Sequence, residues 1–204
     1  APAPMDPEVK HAVDRMQRFY EETVDFEAQF RQTYSYKSFG RKTEARGRVR
    51  FLKSGASMRW DYLDKAGNAE MVFVVAGNKV YAYDRDAKQL SVSGIDTERL
   101  SASITFLWGQ GKLEREFHIT KATRPDLANG IALELTPKTP DPRFRKIFFL
   151  IDPASYAVRE TIVVDPDGSE NRMAFVEVKT NTGFGTEAFK INPPADTQIL
   201  RMDR

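Results

Sequence analysis

From Val24 to Arg31, apolar and polar residues alternate without a break: Val24, Phe26, Ala28 and Phe30 against Asp25, Glu27, Gln29 and Arg31. A period of two marks a strand with one dry face and one wet face. The signal returns at Ala45, Gly47, Val49 and Phe51 against Arg46, Arg48 and Arg50. It returns again at Met58, Trp60 and Tyr62 against Ser57, Arg59 and Asp61. Between such runs, DKAGN, AGNK, DRDAK and DPDGSEN carry the Gly, Asn, Asp or Pro that hairpin turns require. Short strands are therefore predicted at hairpin spacing from about 23 to 94. They resume from about 114 to 192 in REFHITKA, GIALELT, RKIFFLID, YAVRETIVVD, NRMAFVEVK and EAFKI.

Two stretches change period. Asp6-Pro7-Glu8 reads as a helix start, with an N-cap carboxylate, Pro at the first helical position and an acid near the positive dipole end. Val9, Val13, Met16 and Tyr20 then recur every three or four residues, which predicts a helix from Pro7 to Glu22. ERLSASITFLWG, residues 98–109, places Leu100, Ile104, Phe106, Leu107 and Trp108 on a short, strongly apolar helix. TPKTPDPRF reads as a proline-rich bend. RKIFFLID and MVFVV are apolar on both faces, so alternation does not say which side chains of MVFVV face inward.

The predicted architecture is one domain over residues 1–204, mainly β with helices (α+β), built on a long antiparallel sheet. A sheet of ten or more strands curls, and its concave apolar face needs a cover. Two helices of this size leave two readings open. The interior is a filled core, as close packing favours, or it keeps a hollow.

Composition narrows the chemistry. The chain has 31 Lys and Arg against 29 Asp and Glu, interleaved, for a net charge of +2. That gives no electrostatic footprint for nucleic acid. There is no cysteine, which excludes disulfides, thiolate metal sites and a lipid-modified cysteine within this sequence. No apolar run approaches the length of a membrane-spanning helix. The start, APAPMDPE, reads as a mature end left by signal-peptide removal, although an arbitrary starting point would read the same. No nucleophile, phosphate-loop or zinc motif is present. His11 and His118 have no partner at ligand spacing. No catalytic residue, metal site or cofactor is therefore predicted. Arg46, Arg48 and Arg50 share one strand face, either solvated or a docking surface for an anionic partner.

Several segments in order resemble the LolA family of periplasmic lipoprotein carriers. DFEAQFRQ (25–32) resembles that family's first strand, with Phe26, Phe30 and Gln32 in place. GRVRFLKSGASMRWDY (47–62) resembles its Gly-led strand, turn and Trp strand. VVAGNKVYAYDRDAKQ (74–89) carries the Gly77 hairpin, Tyr81, Tyr83 and Gln89. LTPK (135–138) and FKINPP (189–194) follow in order. The resemblance implies a curved sheet forming an incomplete barrel, with helices as a lid over a hydrophobic cavity. On this basis the expected acyl-chain positions are Phe26, Phe30, Val49, Phe51, Met58 and Trp60, with Ile147, Phe149 and Ile151. The expected lid residues are Leu100, Ile104, Phe106, Leu107 and Trp108. The family's Arg-Pro turn is replaced by Lys53-Ser54-Gly55, which leaves Lys53 as the candidate latch. The implied partners are triacylated lipoproteins, an inner-membrane ABC transporter and a LolB-like outer-membrane acceptor, with the chain acting as a periplasmic monomer. LolB shares the fold but is anchored through an N-terminal cysteine, so the soluble carrier is the closer likeness.

Overall fold

A computed structural model describes residues 4–95 and 112–202. The predicted lid residues Leu100, Ile104, Phe106, Leu107 and Trp108 lie outside the described residues. Helix α1 spans Pro7–Glu22 as the sequence predicts. The Asp6 carboxylate caps it, accepting from the Glu8 N–H at 2.8 Å, which satisfies one of the orphan donors of the first turn. Its stripe of Val9, Ala12, Val13, Met16 and Tyr20 is buried.

The strands are β1 (Asp25–Tyr36), β2 (Arg41–Leu52), β3 (Ser57–Leu63), β4 (Ala69–Ala76), β5 (Lys79–Asp84), β6 (Gln89–Gly94), β7 (Phe117–Lys121), β8 (Ile131–Pro137), β9 (Lys146–Ile151), β10 (Val158–Val164), β11 (Glu170–Thr180) and β12 (Gln198–Met202). They are neighbours in the order β12-β6-β5-β4-β3-β2-β1-β11-β10-β9-β8-β7. The fold is mainly β, and the sheet is open, ending at β12 and β7. Strand β12 joins β6 in parallel. QILRM carries no alternation, so the sequence pattern does not announce this strand.

The described residues fall into two compact units. The first comprises residues 4–22, 32–44 and 112–175; the second comprises residues 23–31, 45–95 and 176–202.

In the first unit, the two apolar faces of RKIFFLID have separate covers. Ile147, Phe149 and Ile151 are fully buried. Phe149 lies between Leu133 of β8 and Thr161 of β10, and Ile147 lies opposite Leu135. The Tyr20 hydroxyl of α1 accepts the Val158 N–H at 2.9 Å, which ties the helix to β10. On the other face, Phe148 and Leu150 cluster with Leu127 and Ile162. The Arg124 guanidinium lies 4.8 Å from the centre of the Phe148 ring. It is ion-paired with Glu170 at 2.7 Å and Asp126 at 2.8 Å, so a cation covers apolar surface while its charge is met. The predicted strand REFHITKA starts late. Leu113–Glu116 makes one helical turn before β7, and Leu113 is the residue of that turn which is buried.

In the second unit, MVFVV resolves into two faces. Val72 and Val74 are buried with Leu52 and Phe189, and Tyr81, Tyr83, Phe184 and Ile191 pack around them. The predicted strand EAFKI is instead a 3₁₀ turn, Thr186–Phe189. Phe189 is buried in the cluster with Ala188 and Ile191 of the same segment packed against it, contacts that do not need strand periodicity. Arg59 fixes this segment to β3. Its Nε donates to Asp61 at 2.9 Å and its Nη1 to the carbonyls of Lys190 at 3.0 Å and Ala188 at 3.3 Å.

Asp25 makes a second tie. Buried at the start of β1, it accepts from the N–H of Thr182 at 2.7 Å, the hydroxyl of Thr182 at 3.0 Å and the N–H of Gly183 at 2.7 Å. Burial disfavours its charge, but these donors outweigh burial and hold the carboxyl below the usual range. A depressed carboxyl adds stability above the unfolded-state pKa, and that stability is lost as pH falls through the folded value. Asp25→Asn should therefore cost about 2 kcal/mol near neutral pH. It should also flatten the fall in urea midpoint between about pH 5 and pH 3. A variant whose acid profile overlays the parent chain would remove Asp25 from this role.

Candidate functional site

The register of the second unit turns scattered apolar residues into rows. Across β2, β3, β4 and β5, Phe51 lies opposite Met58, Met58 opposite Val75 and Val75 opposite Val80. A parallel row runs Val49, Trp60, Phe73, Ala82, and a third runs Gly47, Tyr62, Met71, Asp84. Past β5 the rows meet Ser93 and Ser91 of β6, then Met202 and Leu200 of β12. One face of this half of the sheet is thus apolar from β2 to β5 and becomes apolar again at β12.

Burial is graded along these rows. Val49, Phe51 and Met58 are fully buried, and Trp60, Tyr62, Met71, Val75 and Val80 are half-buried. Phe73 is 38% exposed, Leu200 37% and Met202 58%. Aromatic packing links the two ends of the gradient. Phe30 meets Trp60 edge-on at 5.2 Å and Tyr62 at 5.1 Å, and Tyr62 meets Phe73 at 6.0 Å. Edge-to-face contacts at these separations add directional attraction to area burial. Burial pushes the Tyr62 phenol above its ordinary pKa, so the face carries no ionised phenol near neutral pH.

The opposite face of the same strands is occupied. Val72, Val74 and the Arg59–Asp61 pair lie under the C-terminal segment. On β2, Arg50 pairs with Glu27 at 2.6 Å. Arg48 stands 3.9 Å from Asp61, and Arg46 donates to the carbonyls of Asp64 and Lys65. The arginine row is therefore spent largely on ties within the chain.

The sequence-predicted positions divide between the units. Val49, Phe51, Met58 and Trp60 share the apolar face by register, Phe30 joins them by ring contact, and Phe26 follows Phe30 by the period of two. Phe26 and Phe30 are buried. Ile147, Phe149 and Ile151 belong to the first unit. Lys53 sits in the turn after β2, its N–H donating to the Val24 carbonyl and its own carbonyl accepting from Ala56. Sequence reading missed Tyr62, Met71, Phe73, Val75, Val80 and Ala82. Alternation in MRWDY pointed to Tyr62, but only pairing with β3 orients MVFVV.

The arrangement offers apolar rows across β2, β3, β4 and β5. Among the described residues, no cluster of His, Cys, Asp and Glu has the arrangement of a metal site. No helix among them is long and apolar enough to cross a membrane.

The family described as "Outer membrane lipoprotein carrier protein LolA" matches residues 21–192. An outer-membrane lipoprotein carrier protein of Nitrosomonas europaea is 25% identical over 190 residues, covering 93% of this chain and 89% of that protein. Among solved structures, an uncharacterized conserved protein of Thermus thermophilus superposes with a TM-score of 0.60 at 17% identity, covering 96% of this chain and 99% of that one. The Mycobacterium tuberculosis lipoprotein LppX superposes with a TM-score of 0.54 at 12% identity, covering 88% of this chain and 98% of its own. These structural likenesses concern the fold.

Gly47 lets the face pack. A Cβ there would come within 1.9 Å of the Asp61 carbonyl oxygen and 2.6 Å of Phe30 Cζ. The carbonyl belongs to the paired strand and cannot step aside. Gly47→Ala should cost about 1–3 kcal/mol by urea unfolding, as overpacking does. Gly94→Ala, with nothing within 4 Å, should stay within about 0.5 kcal/mol of the parent. Equal costs at the two sites would contradict the close approach at Gly47.

Proposed function

The chain belongs to the LolA family, and from that premise we propose that it is a periplasmic carrier of outer-membrane lipoproteins rather than an enzyme, with residues 1–204 working as one carrier domain. The observation that carries this reading is the graded apolar face of the second unit. Acyl chains need contiguous apolar surface reachable without unfolding the protein. Rows that run from buried Phe51 and Val49 to exposed Phe73 supply it. The opposite face is tied down by Phe189, Arg59 and Asp25, so ligand on the apolar face need not disturb those anchors. The family resemblance adds Ile147, Phe149 and Ile151 as acyl contacts, Leu100, Ile104, Phe106, Leu107 and Trp108 as the cap, and Lys53 as its latch.

Burying an acyl chain is worth about 0.8 kcal/mol per CH₂, so a triacylated protein gains tens of kcal/mol in any apolar host. Directional transport then rests on small differences between hosts. A face built from Met58, Met71, Trp60 and Phe73 has adaptable side chains, which accept varied chains without a fixed imprint. The sequence carries no phosphate-binding loop, so loading falls to another machine, which by the family resemblance is an inner-membrane ABC transporter. Unloading falls to a LolB-like acceptor at the outer membrane.

The turn Lys53-Ser54-Gly55 in place of Arg-Pro favours a second reading, in which the same face binds another lipid or senses mislocalised lipoproteins. A guanidinium fork is not reproduced by an ammonium, so a cap held there would be held differently. Mass spectrometry of material that co-purifies after periplasmic expression separates the two. Triacylated lipoprotein supports the carrier, and free lipid supports the second reading.

Phe30→Glu is a poor probe, because a charge at that buried position threatens the fold. Phe73→Glu and Met71→Glu place the charge where water already reaches. Each should lower lipoprotein release from spheroplasts tenfold or more while the urea midpoint stays near that of the parent. Release at the parent level by both variants would refute the assignment of this face.

A further inference from the structure

Strands β1 and β2 are each twelve residues long and are joined by Lys37-Ser38-Phe39-Gly40. At the tip of this hairpin Phe39 is 82% exposed, the most exposed of the large apolar residues described. The turn does not demand an aromatic there. The left-handed position falls on Gly40, with φ 57°, and Phe39 covers nothing. Tyr36 beside the turn is 38% exposed.

Cations stand beside Phe39 in the chain. Arg41 and Lys42 follow at once and are exposed. Neither has an ion-pair or hydrogen-bond partner through its side chain among the described residues. Of the neighbouring acids, Asp165 is half-buried and Asp167 is exposed, and both accept hydrogen bonds within the chain. The Tyr34 hydroxyl donates to Asp165, and the N–H and hydroxyl of Ser169 donate to Asp167 at 2.8 and 2.9 Å. Lys37 braces the tip against the same turn. Its N–H donates to the Ser169 hydroxyl at 3.2 Å, and its stem lies where a Cβ on Gly168 would meet it, 2.8 Å from Cδ. Glu44 is the remaining exposed acid on this stretch of β2.

A projecting aromatic flanked by unpaired cations is the chemistry of an interfacial anchor. The ring enters the boundary between headgroups and acyl chains, and the cations meet anionic headgroups. We propose that the β1–β2 tip docks on the surface of an anionic phospholipid bilayer. Charge complementarity selects this occupant over a second copy of the chain, whose tip would present the same cations. Each cation near such a surface contributes about fivefold in affinity, and one inserted ring about tenfold. The contact is therefore weak, salt-sensitive and readily reversed. It holds independently of what the apolar face of the second unit binds.

The test is co-sedimentation of the full chain with vesicles of phosphatidylglycerol and phosphatidylcholine, against vesicles of phosphatidylcholine alone, without lipoprotein. Binding to the anionic vesicles should exceed binding to the neutral ones and fall as salt rises. Phe39→Ser should weaken it about tenfold and the pair Arg41→Glu, Lys42→Glu about twentyfold or more, with unfolding midpoints near that of the parent because these side chains are exposed. No binding to anionic vesicles, equal binding to both kinds, or binding indifferent to Phe39→Ser would overturn the proposal. Such a failure alongside normal lipoprotein release would leave the carrier reading intact.

Discussion

A strand sends successive side chains to opposite faces, so a strand that is apolar at every position needs two covers. The runs MVFVV of β4 and IFFLI of β9 meet this condition, and each unit answers it with its own material. In the first unit Phe148 and Leu150 lie beneath Leu127 and the Arg124 guanidinium. In the second, Val72 and Val74 lie beneath Phe189 and its neighbours. Once that face of β4 is closed, Met71, Phe73 and Val75 are committed to the other, and Trp60, Met58 and Val80 join them through the register. The exposed end of this face is thus a consequence of where the C-terminal segment is spent.

The charged residues do mechanical work in this scheme. Arg59 reaches past Asp61 to the backbone carbonyls of Ala188 and Lys190, where a guanidinium can serve a carboxylate and two carbonyls at once. Asp25 gathers the backbone of Thr182 and Gly183. A truncation at either site would leave buried polar groups unpaired, which costs more than the bond itself gains. The alternating Arg46, Arg48 and Arg50 look like a cationic stripe in the sequence, yet the structure uses Arg50 and Arg46 for intramolecular ties.

Strand and helix identity were legible wherever one face met water. The alternation in DFEAQFRQ, GRVRF and MRWDY located β1, β2 and β3 and placed Phe30, Val49, Phe51, Met58 and Trp60 on one side. The cap at Asp6 and the stripe from Val9 to Tyr20 located α1. Legibility failed where alternation was absent. EAFKI resembled a strand but packs Ala188 and Phe189 from a 3₁₀ turn and Ile191 just beyond it, and QILRM gave no sign of pairing with β6. The wet half of the candidate site was the harder half to read, because Phe73 lies in a segment whose neighbours are equally apolar.

The sequence by itself determined the class of the protein: mostly strands, an amphipathic helix at Pro7–Glu22, no thiol or phosphate-loop chemistry, and an ordered set of segments resembling the LolA family. Those features are local, since turn chemistry, side-chain period and composition act within a few residues. Tertiary structure alone decided which face of β4 is the apolar surface, that Phe189 closes the other, and that Gly47 must stay small beneath Phe30. These depend on partners far apart in the chain, and a side chain's own neighbours carry no record of what will lie across the sheet from it.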